Sequence, residues 1–123
     1  MDHVEVFDGV SVLVCDADGP TLASETDATD LVGVVFGHSV DVLAVPVARL
    51  SSDFFVLRTR VAGDIVQKFV NYRIRFIVIG DVSALAAESE SLRDFIAEAN
   101  RGTQIWFVAD EAELASRLAA TRA

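Results

Sequence analysis

VDVLAVPV, residues 40–47, is apolar at every position except Asp41. A strand with one face in water alternates polar and apolar side chains, so a continuous run is a strand covered on both faces. The run ends around Pro46, which has no N–H to give to a sheet ladder. Two stretches of the same kind follow, IRFIVIG (74–80) and QIWFV (104–108). Helical spacing fills the intervals between them. Buried strands alternating with helices imply right-handed crossovers and a largely parallel sheet.

Upstream, VEVF (4–7) and VSVLVC (10–15) are joined by Asp8-Gly9. That dipeptide favours the type I′ turn of a tight hairpin, so the pair supplies an antiparallel edge. Ser24 opens a helix with Asp27 three residues on. Ala28, Leu31, Val32 and Val35 face inward, and Gly37 supplies the stop. A longer helix is expected over 52–72, burying Phe54, Leu57, Val61, Ile65, Phe69 and Tyr72. Its polar stripe is Arg60, Asp64, Gln67 and Asn71. Phe55, Val66 and Val70 are apolar away from the main face, which marks them for an interface.

Residues 81–91 read as a loop of small residues. Ser91 then caps a helix burying Leu92, Phe95, Ile96 and Ala99, and the last helix opens at Asp110 with Leu114 and Leu118 inward. The whole is a single α/β domain spanning 1–123, in the order β-β-α-β-α-β-α-β-α.

Composition narrows the function. The net charge is −9, with Lys68 the only lysine, so a phosphate backbone is repelled and nucleic acid is not an expected partner. Hydrophobic residues make up 52% of the chain and mean hydropathy is +0.42, yet no apolar run approaches the ~20 residues of a membrane span. The excess apolar content points to buried strands or to a surface kept for a partner. The first residues carry no signal-peptide pattern, so a cytoplasmic location is expected. Cys15 is the sole cysteine and reads as a buried small hydrophobe, which excludes an intramolecular disulfide. The Ala, Val, Arg and Asp usage suggests a GC-rich bacterial genome.

No catalytic constellation emerges. His3 and His38 lack a readable nucleophile partner, no metal-ligand spacing or glycine-rich phosphate loop is present, and no cofactor is expected. Arg58 and Arg93 are the candidate binding residues. Both fall near helix starts at the carboxyl edge of the sheet, where Ser51, Ser52 and Ser91 sit at helix N-termini. Two arginines and two helix ends could hold a small anion. The internal alternative pairs them with Asp81, Asp94 or Asp53.

FFVLRTRVAGDIVQKFVNYRIRFIVIGD (54–81) and SLRDFIAEANRGTQIWFV (91–108) resemble the DUF4180 family of small bacterial proteins. The resemblance covers roughly residues 40–118, and that family's function is not established. The element order also resembles the STAS domain of anti-sigma-factor antagonists. That likeness implies docking onto a partner kinase and a phosphorylatable serine at a strand–helix junction, here Leu50-Ser51-Ser52-Asp53. The Asp-Ser-x-Gly pattern of those domains is absent. The combined expectation is a non-catalytic regulatory or protein-interaction domain, a homodimer through the 52–72 helix. The alternative is a small-anion or metabolite-binding protein.

Overall fold

A computed structural model describes residues 2–122, with side chains through residue 120. Five strands form one sheet in the order β1-β2-β3-β4-β5: His3–Phe7, Val10–Val14, Val42–Pro46, Arg75–Ile79 and Ile105–Val108. β1 and β2 are antiparallel, with Phe7 opposite Val10, and the other pairings are parallel. Asp8 and Gly9 take φ of 52° and 82°, the two left-handed positions of a type I′ turn, as the dipeptide demands.

Because every crossover steps to the adjacent strand in one direction, α1 (Glu25–Gly37), α2 (Val61–Asn71) and α4 (Glu90–Arg101) pack on one face. Leu13, Leu43, Val45, Phe76, Val78 and Phe107 point into that layer and meet Val32, Ile65, Phe69 and Leu92. The alternate residues Val12, Val14, Val42, Ala44, Ile77, Trp106 and Val108 face the opposite side, where α5 (Glu111–Arg122) lays down Leu114 and Leu118. Both faces of the central strands are therefore dry, which accounts for their unbroken apolar runs. Trp106 is buried. Its indole N–H donates to Gly102 O at 2.8 Å, and the guanidiniums of Arg75 and Arg117 lie 4.4 and 4.5 Å from its ring centre. Arg117 thereby ties α5 to the sheet.

The expected 52–72 helix is broken. Ser52–Phe55 and Leu57–Thr59 are separate 3-10 turns, with Val56 extended between them. The Thr59 hydroxyl donates towards the carbonyls of Asp53 and Val56 at 2.8 and 2.7 Å, and Arg60 adopts a left-handed φ of 66° before α2 begins. Apolar residues at 3-residue spacing suit 3-10 turns as well as an α-helix, so periodicity alone did not separate them. Phe54, Ile65 and Phe69 still reach the core, whereas Tyr72 is the exposed C-cap of α2.

Three smaller boundaries also move. The 81–91 loop contains a short helix, α3 (Ser83–Ala87), opened by Ser83 N–H donating to the Asp81 carboxylate. Ser89, not Ser91, caps α4, its hydroxyl accepting from Leu92 N–H at 3.2 Å. α1 runs through Gly37, and Ser39 takes the left-handed turn after it.

Candidate functional site

Three depressions line the carboxyl edge of the parallel strands, the ligand side of open α/β sheets. The first, about 460 Å³, is lined by Phe55–Arg58 on one side and by Glu88, Ser89 and Ser91 on the other. Arg58 is exposed on its 3-10 turn. It faces the first turn of α4, whose unpaired N–H groups carry partial positive charge. Glu88 shares the depression and offsets part of that field.

Arg93 belongs to the second depression, about 450 Å³, with Gly80, Asp81, Ser83, Asn100 and Glu113. Of the predicted cluster, Arg58 and Ser91 are brought together while Arg93 turns to the neighbouring hollow. Ser51 and Ser52 line neither. Ser51 occupies the cap position of the Ser52–Phe55 turn without a capping bond, and its hydroxyl oxygen is buried with no hydrogen-bond partner among the described residues. Its backbone is used instead: Ser51 N–H donates to Leu22 O, and Leu22 N–H donates to Arg49 O.

That stitching leads to a residue that sequence reasoning missed. Arg49 is only 4% exposed, the buried charged side chain of the described core. Its Nε donates to Pro20 O at 2.8 Å, and Nη1 donates to Asp16 O at 3.1 Å and to the Asp2 carboxylate at 3.3 Å. Asp2 also accepts from Asp16 N–H at 2.9 Å. A buried guanidinium needs such partners, because removing it from water without them is costly. Gly19 lies against it, and a Cβ there would run into the guanidinium carbon. The only sequence signal was an arginine three residues past the end of a buried strand, flanked by Ala48 and Leu50.

Cys15 sits beside this group. Burial first, and then the Asp2 carboxylate, push its thiol up to about 12. A thiol so held is a packing group and not a nucleophile at neutral pH. The third depression, about 210 Å³, opens beside Arg49 and is walled by the 20–22 segment and α1.

Phe55 is buried in the helical layer, Val66 is half-buried and Val70 is 37% exposed. Phe36 in the last turn of α1 is 50% exposed and Tyr72, the C-cap of α2, is 44% exposed, with ring centres 5.9 Å apart, edge to face.

A family model described as Domain of unknown function (DUF4180) matches residues 7–118. The chain belongs to that family. The DUF4180 match takes in Arg49, Arg58, Arg93 and both ring positions, whereas Asp2 lies outside it. No curated protein and no solved structure matches the chain. No described helix is long and apolar enough to cross a membrane.

Proposed function

We propose that this DUF4180 domain is a non-catalytic, cytoplasmic regulatory module of STAS-like type that works by docking, and that its first partner is a second copy of itself. The observation that carries this reading is the exposed ring pair Phe36–Tyr72. Two half-exposed aromatics on adjoining helix ends form an apolar surface that ordinary solvation does not favour. Related by a two-fold axis, the same rings would meet each other, as an isologous interface requires.

Sedimentation across a dilution series tests this. The wild type is expected to dimerise, and Phe36→Ser with Tyr72→Ser to weaken the dimer by about tenfold or more, ~1.4 kcal/mol. A wild type that stays monomeric at the highest concentration sinks the reading.

A second reading rests on Arg58 facing Ser89 and Ser91 at the start of α4. There the module would bind a small anion such as phosphate. Phosphate would then raise the unfolding midpoint of the wild type but not of Arg58→Ala. Equal responses in the two proteins would reject it.

A further inference from the structure

We propose that the cavity between α1 and the loop after β2 binds a small zwitterion, an α-amino acid with a short apolar side chain. This site is distinct from the docking surface and from the Arg58 depression. It is a half-open hollow of about 210 Å³, lined by Asp2, Pro20, Thr21, Leu22, Asp27, Asp30, Leu31, Val34 and Arg49. That is below the roughly 300–1,000 Å³ of pockets for larger ligands, so only a small metabolite fits.

The lining carries both signs of charge. Arg49 is held almost wholly out of water, and its bonds to Pro20, Asp16 and Asp2 employ only Nε and Nη1. The Cys15 thiol also lies against the guanidinium, and Nη2 has no oxygen acceptor among the described residues. A planar guanidinium with two nitrogens anchored is fixed in orientation, which suits the remaining nitrogen to receive a carboxylate. α1 contributes the opposite charge through Asp27 and Asp30, three residues apart on one helix face. One oxygen of Asp27 accepts Ala23 N–H at 2.9 Å, while Asp30 makes no hydrogen bond or ion pair among the described residues. An ammonium group placed there would relieve the repulsion between the two carboxylates. Leu22, Leu31, Val34 and Pro20 supply the apolar wall. A carboxylate alone would meet three aspartates, and an amine alone would leave Nη2 unused. A zwitterion answers both ends.

Calorimetric titration with L-valine, isobutylamine and isovalerate tests the proposal on the intact chain. L-valine is expected to bind, with isobutylamine and isovalerate each at least tenfold weaker. Asp30→Asn and Val34→Trp alter exposed side chains at the cavity, and each is expected to weaken L-valine at least tenfold while leaving the circular-dichroism spectrum unchanged. Arg49 is left intact because three structural bonds depend on it. The absence of heat with L-valine overturns the proposal. So does isobutylamine binding as tightly as L-valine, or unchanged binding in both variants.

Discussion

A charge that is almost wholly buried leaves no period in a sequence, and so Arg49 escaped the reading that found every strand. Its surroundings only make sense in three dimensions. Asp2 comes from the start of the chain, two carbonyls come from the loop after β2, and Gly19 is there because nothing larger fits against the guanidinium. Cys15 was legible as core, since it closes an apolar strand run, and its titration follows from that burial. Its thiol ionises near the ordinary value of 9.0 in the unfolded chain and at about 12 in the folded one. Below the lower value both states keep the proton, so stability is unaffected. Between the two values the unfolded state loses its proton first, and stability falls by about 1.4 kcal/mol per pH unit. Urea unfolding at about pH 8 and about pH 10.5 should therefore show a larger loss in wild type than in Cys15→Ala. Parallel losses would mean that the thiol is not held in this environment.

Helix boundaries divide into those that chemistry signs and those it does not. The hairpin was readable because Asp8-Gly9 suits only a narrow set of turns, and both residues adopt the left-handed backbone it implies. The segment 50–60 was not readable, because its apolar spacing serves 3-10 turns equally and the break depends on Thr59 and Arg60. At α4 the stretch Glu88-Ser89-Glu90-Ser91 offers two serines at equivalent chemical merit. Only the extended backbone of Ser89, which aims its hydroxyl at Leu92 N–H, selects the cap. Ser89→Ala is accordingly expected to cost about 1 kcal/mol of unfolding free energy, whereas Ser91→Ala, exposed and uncapping, stays within about 0.5 kcal/mol. Chemical denaturation of the two variants decides it, and equal costs would place the cap elsewhere.

At the scale of the whole molecule, one-directional crossovers put three helices on one face and leave α5 alone on the other. That layout was legible from the alternation of strands and helices. The grouping of arginines was not, because an edge of 3-10 turns and a short α3 decides which hollow each one enters. Charge then sets the terms of association. Two copies, each carrying −9, repel one another, while the Phe36–Tyr72 rings offer apolar burial. Salt shortens the reach of the repulsion from about 10 Å at 0.1 M to about 3 Å at 1 M and leaves the apolar contribution in place. The proposed self-association should therefore strengthen as sodium chloride rises, the opposite of an interface built on opposite charges. Sedimentation equilibrium over a salt series measures this directly. Dissociation on adding salt would show that ion pairs, and not the rings, hold the copies together.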